Sequence, residues 1–202
     1  MNARDLTRPH YFQAGSNRTF LLLHGTGADE HDLVPLAKLL DSEAGILSPR
    51  GLYLEGGMNR FFERYSDGSF NEESIDQAVS ELADFLEVAT EEYGLAGNEF
   101  VAVGFSNGAN TAAAIMVRYP TLLSAGVLLG STRPFAASLE TDLTGKRIWI
   151  GNGDQDPYAP IAVTKKWIQE LEQAGAEVNW LRHAGGHQVS QAHLQEISRQ
   201  LT

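Results

Sequence analysis

The sequence predicts an α/β fold in which a mostly parallel central sheet is flanked by helices on both faces. Three observations predict it. Short apolar runs alternate along the chain with amphipathic stretches of helical period. Several of these runs are apolar throughout, as strands covered on both faces have to be. The stretch from Asn107 to Tyr119 is alanine-rich and apolar nearly all round, the pattern of a helix pressed tightly against such a sheet. The 202 residues are expected to form one domain, 1–202.

Taken in order, His10-Tyr11-Phe12 is expected as an edge strand. Phe20-Leu21-Leu22-Leu23 is the first central strand, closed by the turn-forming sequence His24-Gly25-Thr26-Gly27. Gly45-Ile46-Leu47-Ser48 is a second, stopped by Pro49, which has no N–H to offer a ladder. From Glu72 to Tyr93 the residues Ile75, Val79, Leu82, Phe85, Leu86, Ala89 and Tyr93 share one helical face. The opposite face is acidic, without Lys or Arg, and reads as solvated surface. Phe100–Val103 is the third strand and leads into the alanine-rich helix. Ala125–Leu129 and Arg147–Ile150 are the fourth and fifth. Only Ser131 to Gly145 separates these two, too little for a helical cap, so no substantial lid domain is expected. Ile161–Ala174 and Val189–Leu201 are amphipathic helices on either side of a sixth strand, Val178–Leu181. No internal repeat or low-complexity segment interrupts this order.

Composition narrows the function. Fifteen Lys+Arg against 26 Asp+Glu give a net charge of −11, which repels phosphate backbones and anionic membranes. Nucleic acid is therefore not an expected partner. Cysteine is absent, which removes disulfides, thiolate metal sites and cysteine nucleophiles together. Met1-Asn2-Ala3-Arg4-Asp5 leads into no apolar signal core, and no apolar run is long enough to span a bilayer. A cytoplasmic protein without membrane insertion is the expectation; whether it is a monomer or a homodimer is left open.

The chemistry concentrates where the third strand meets the helix. Gly104-Phe105-Ser106-Asn107-Gly108 is G-x-S-x-G between strand and helix, the context of a nucleophile elbow. A serine on so tight a turn projects from the sheet, and side chains two positions either way would collide with the crossing backbone. The bare pattern is short, and its placement gives it weight. The bland alternative is a glycine-rich turn with an idle serine.

A serine hydroxyl needs a base to take its proton and an acid to orient that base, in the chain order Ser, Asp or Glu, His. After the fifth strand, Gly151-Asn152-Gly153-Asp154-Gln155-Asp156-Pro157 offers two aspartates. Asp156 is preferred, because Pro157 holds it extended; Asp154 is the runner-up, with a turn-stabilising role as its alternative. Among six histidines, His187 follows the last strand and the pair Gly185-Gly186. His183 lies at the strand end, His193 within a helix, and His24 and His31 come before the serine. His187 is the expected base. The oxyanion of a tetrahedral intermediate needs donors. The backbone N–H of Asn107, the residue after the nucleophile, is one. Thr26, in the glycine-bearing loop after the first central strand, is the other. Read alone, Gly25-Thr26-Gly27 could belong to a phosphate loop, but neither G-x-G-x-x-G nor Gly-Lys-Ser/Thr accompanies it. No metal-ligand spacing appears, so neither a metal nor another cofactor is expected.

These residues resemble a known family. Leu22-Leu23-His24-Gly25-Thr26-Gly27, Gly104–Ala109, Asp156-Pro157 with Pro160, and Gly186-His187 are similar to the phospholipase/carboxylesterase family of α/β-hydrolases. Pro49-Arg50-Gly51, Gly57–Phe62 and Gly68–Asn71 resemble a bacterial subgroup of small esterases. Tyr158 and Ala159 depart from the smaller or branched residues expected beside the acid. The resemblance implies the α/β-hydrolase fold and a serine hydrolase using Ser106, Asp156 and His187, with Thr26 and Asn107 as oxyanion donors. The expected substrate is a small short-chain carboxylic ester. Thioesterase and lysophospholipase activities occur in the same family, and a non-catalytic receptor on the same scaffold is the alternative of another class. Met58–Phe62 resembles the subgroup's pocket segment, so Arg60, Phe61 and Phe62 are expected to line the substrate pocket. The alternative for the two phenylalanines is plain core.

Overall fold

The structure, a computed structural model, describes residues 6–201; the reading of Met1–Asp5 lies outside the described residues. Seven strands form one sheet: β1 (His10–Gln13), β2 (Arg18–Leu23), β3 (Gly45–Pro49), β6 (Glu99–Phe105), β7 (Ala125–Leu129), β8 (Arg147–Gly153) and β9 (Glu177–His183). Their order is β1-β3-β2-β6-β7-β8-β9. All neighbours are parallel except β1, which runs antiparallel to β3 at the edge. This is the α/β-hydrolase-like arrangement expected from the sequence.

Alternation along the strands divides the core. Leu21, Leu23, Ala102, Leu128, Ile148 and Ile150 face one way, into a cluster with α2 (Glu72–Glu92), α3 (Asn107–Arg118) and α4 (Ile161–Gln173). Phe20, Leu22, Val101, Val103, Val127 and Trp149 face the other way, against α1 (Val34–Leu40) and α5 (Gln191–Leu201). Both faces of every central strand are thus covered, which is why those strands read as unbroken apolar runs. Helix α3 buries every residue from Asn107 to Val117. The acidic face of α2 is only partly idle: Asp76 pairs with Arg118 at 2.7 Å and Glu81 with Arg8 at 3.1 Å.

Two elements were not expected. Helix α1 is seven residues long, opens with Pro35 in its first turn and buries only Ala37 and Leu40, too little to show a period. β4 (Tyr53–Glu55) and β5 (Met58–Arg60) form a separate hairpin, turned by Gly56 and Gly57 at φ 58° and 86°. A Gly-Gly pair with φ positive at both positions is a type I′ hairpin turn, and that dipeptide was the available signal. Between β7 and β8 the chain forms no helix or strand, so the sheet carries no cap there.

The order of the sheet places the site. The chain passes from β2 outward to β3, then returns to lay β6 on the other side of β2. In an open parallel sheet, the crevice outside the carboxyl ends at such a reversal is where ligands bind. Leu23 of β2 stands opposite Gly104 of β6, so the loop holding Thr26 and the turn holding Ser106 emerge side by side.

Candidate active site

The turn after β6 holds Ser106 at φ 53° and ψ −116°. Among the described residues it is the only one other than glycine with positive φ. Such a conformation costs on the order of 1–3 kcal/mol and persists only where its surroundings enforce it. The enforcement is visible: the Ser106 N–H donates to Leu129 O at 2.8 Å, and its carbonyl accepts from Asn110 N at 3.0 Å. The flanking glycines are needed for space. A Cβ on Gly104 would come within 2.6 Å of Ala109 N, and one on Gly108 would overlap the Leu23 carbonyl.

Ser106, His187 and Asp156 come together from three loops at the carboxyl edge. His187 Nδ1 lies 2.7 Å from Asp156 Oδ2, and its Nε2 lies 2.8 Å from Ser106 Oγ. A carboxylate can only accept, so Nδ1 carries the proton and Nε2 is left to accept from the serine hydroxyl. Asp156 has a nearly inaccessible side chain, and its Oδ1 accepts from the N–H groups of Tyr158 at 2.8 Å and Ala159 at 3.2 Å. Both carboxylate oxygens are therefore engaged. Phe105 and Tyr158 flank the imidazole, each with its ring centre 5.0 Å away. Tyr158 stands largely exposed at the rim, while Ala159 is buried beneath the acid.

The competing residues have other partners. Asp154 forms an exposed pair with Arg182 at 2.7 Å, bridging the ends of β8 and β9. His183 Nδ1 accepts from Gly185 N at 3.1 Å, leaving its Nε2–H to donate to Gln188 O at 3.1 Å. It thereby brackets the loop that carries His187. His193 is buried, and burial draws its pKa below the ordinary 6.5.

Thr26 and Asn107 lie beside Ser106 around one cavity of about 1180 Å³. Among the described residues, neither backbone N–H has a hydrogen-bond acceptor. The loop bearing Thr26 is braced by His24, which is buried. Gly51 N donates to His24 Nε2 at 3.0 Å, so Nδ1–H donates to Gly25 O at 2.7 Å. Burial, opposed by that hydrogen bond and nearby acids, lowers the His24 pKa from 6.5 and keeps the ring neutral.

The remaining walls correct the sequence reading. Phe61 and Phe62 do not line the cavity: they are 5% and 0% exposed and pack in the core with α2 and α3. They follow directly on the hairpin, whose docking turns their rings inward. Arg60 does reach the cavity, but its guanidinium is committed to Thr26 Oγ1, Phe62 O and Glu55. The walls come instead from Asp67–Phe70, and from Arg133, Pro134 and Phe135 in the loop between β7 and β8. Irregular, polar-flanked segments such as these carry no periodic signal that would have marked them. Among the described residues no group of three His, Cys, Asp or Glu is arranged to hold a metal, and no helix is long and apolar enough to cross a membrane.

Comparisons with known proteins agree with this architecture. Residues 13–202 match the sequence pattern of the family described as Phospholipase/Carboxylesterase. The chain is 36% identical over 192 residues to MhqD of Bacillus subtilis (strain 168), named as a hydrolase, covering 95% of this chain and 96% of that one. The Bacillus cereus carboxylesterase structure superposes with a TM-score of 0.93 at 39% identity, over 97% of this chain and 94% of that one. A carboxylesterase from Mesorhizobium loti gives 0.85 at 29% identity, over 92% and 88%.

Proposed function

The chain belongs to the phospholipase/carboxylesterase family, and from that premise we propose that it is a serine carboxylesterase acting on small esters through an acyl-enzyme. The observation that carries the reading is the continuous relay from Asp156 through His187 to Ser106, ending on a hydroxyl held at strained φ. His187 Nε2 takes the Ser106 proton as Oγ bonds to the ester carbonyl carbon. The carbonyl electrons move onto oxygen, which faces the N–H groups of Thr26 and Asn107. Asp156 steadies the imidazolium that results. Collapse of the intermediate breaks the bond to the alkoxy oxygen, which leaves with the proton from Nε2. Water then repeats the sequence on the acyl-enzyme, releasing the acid and restoring the serine.

We place the substrate among short-chain esters. The cavity is walled by loops and open to water, so methylenes beyond its rim gain none of the roughly 0.8 kcal/mol that each would gain on burial. The direct test is a fluorophosphonate probe combined with a substrate panel. Labelling of Ser106, its loss in Ser106→Ala, and a kcat/KM maximum between acetyl and hexanoyl p-nitrophenyl esters are expected. A maximum at dodecanoyl or longer, or stronger turnover of thioesters or lysophospholipids, would overturn the substrate class. An unlabelled wild-type protein would overturn the enzyme reading in favour of a receptor.

A further inference from the structure

We infer that the tripeptide Asn59-Arg60-Phe61 clamps both halves of the oxyanion site, with the buried Arg60 side chain as a positioning residue that holds Thr26. The inference rests on the esterase reading. A two-stranded hairpin has little stability of its own, so the place where β4–β5 docks is informative. It docks on the loop after β2 and on the start of α3. Gly27 N donates to Asn59 O at 2.9 Å, and Asn59 Nδ2 donates to Ala28 O at 2.9 Å. Arg60 Nη1 donates to Thr26 Oγ1 at 2.9 Å. The next residue, Phe61, donates its N–H to Asn107 Oδ1 at 2.8 Å. Arg60 and Phe61 therefore touch one candidate oxyanion donor each, while Asn59 holds the two residues that follow Thr26. Their spacing fixes how far apart the Thr26 and Asn107 amides stand.

Arg60 is the member whose chemistry exceeds packing. Its side chain is 4% exposed, and its Nε donates to Phe62 O at 3.1 Å while Nη1 also reaches Glu55 at 3.3 Å. Burying a guanidinium is costly unless its partners are well placed, and a buried ion pair is weak evidence of stabilisation by itself. Here the pairing is incomplete in charge: Arg60 and Arg64 share the single Glu55 carboxylate. Desolvation lowers the Arg60 pKa, with Glu55 opposing it, yet a guanidinium stays protonated in proteins. A fixed positive charge thus bonds directly to a residue of the oxyanion site, inside a chain of net charge −11. A donor held on the Thr26 side chain fixes the loop that carries the Thr26 N–H, and preorganised donors accelerate the chemical step without Arg60 having to touch the bound ester.

The test compares wild type with Arg60→Met, Arg60→Lys, Thr26→Val and Arg60→Met/Thr26→Val. For each, kcat and KM on p-nitrophenyl butyrate and Ki for an aliphatic trifluoromethyl ketone are measured. The ketone adds Ser106 Oγ to its carbonyl and leaves an oxyanion in the site. Folded Arg60→Met is expected to lose about 10–100-fold in kcat, approaching the loss of one oxyanion donor. KM should stay near wild type, and Ki for the ketone should weaken by the same factor as kcat. Arg60→Lys should recover part of the loss. Thr26→Val keeps the backbone N–H but removes the acceptor, so the double variant should lose less than the product of the two single losses. Unchanged kcat and Ki in folded Arg60→Met, a raised KM at constant kcat, or fully multiplicative losses in the double variant would each overturn the inference. Should Arg60→Met not fold, Thr26→Val alone decides, since wild-type kcat and Ki in that variant would overturn it equally. These failures leave Ser106 labelling by fluorophosphonate intact, whereas absence of labelling in wild type would remove the esterase reading and this one with it.

Discussion

Replacing Asp156 by asparagine should nearly abolish turnover while leaving the protein folded, and the local hydrogen bonds say why. In wild type, Oδ2 accepts from His187 Nδ1 at 2.7 Å and Oδ1 accepts from the backbone N–H of Tyr158 and Ala159. An asparagine amide has one acceptor and one donor end. Turning its NH2 toward the two backbone donors would set N–H against N–H, so its oxygen stays there and the NH2 faces His187. Nδ1 must then accept, which places the ring proton on Nε2, opposite Ser106 Oγ at 2.8 Å. The base arrives already protonated. Amidating the acid of such a triad costs roughly 10⁴-fold in kcat, equivalent to about 5.4 kcal/mol at 1.36 kcal/mol per decade. Asp154→Asn is the matched control: its pair with Arg182 is exposed on both sides, and such pairs contribute about 0–1 kcal/mol of stability and nothing to proton transfer. The assay is kcat on p-nitrophenyl butyrate at pH 8, with folding checked by circular dichroism and thermal melting. A loss under tenfold in Asp156→Asn, or equal losses in the two variants, would refute the assignment of the acid.

Ser106→Gly should be more stable than Ser106→Ala by on the order of 1 kcal/mol, because glycine accepts φ 53° without strain; equal urea midpoints would contradict the strained turn. Stability should fall on acidification. His24 and His193 both have pKa values drawn below 6.5 by burial, so the unfolded chain binds more protons below that value. Stability from these neutral rings is complete above pH 6.5 and declines as pH falls, by up to about 1.4 kcal/mol per pH unit per histidine; His24→Gln should reduce the slope of urea-derived stability between pH 6.5 and 5. Phe62→Ala should cost about 3–5 kcal/mol of stability, as a fully buried ring in the core. Phe70→Ala, in the cavity wall, should instead shift the acyl-length profile toward longer chains while keeping most of the stability; a shift confined to Phe62→Ala would restore it as a pocket residue.

The parts of the fold with local causes are legible in the chain alone. Unbroken apolar runs at 20–23 and 125–129 mark strands covered on both faces, and the period of 72–93 marks a long helix with one buried face. The elbow was legible because the demand for glycine at 104 and 108 is steric and lies within two residues of Ser106. Asp156 and His187 were legible as candidates because loops after successive parallel strands all open on one edge of the sheet. The hairpin and α1 have too few residues to display a period. Which walls enclose the site depended on tertiary structure. Phe61 and Phe62 look alike as core or pocket in one dimension, and only the assembled structure packs them inward among the residues of α2 and α3. The bonds that hold the proposed oxyanion donors join residues 34 positions apart for Arg60 and Thr26 and 46 apart for Phe61 and Asn107. Those partners meet because β2 lies between β3 and β6, an order no local pattern encodes. Periodicity and sterics are written residue by residue, whereas the distance between two loops is set only when the sheet is assembled.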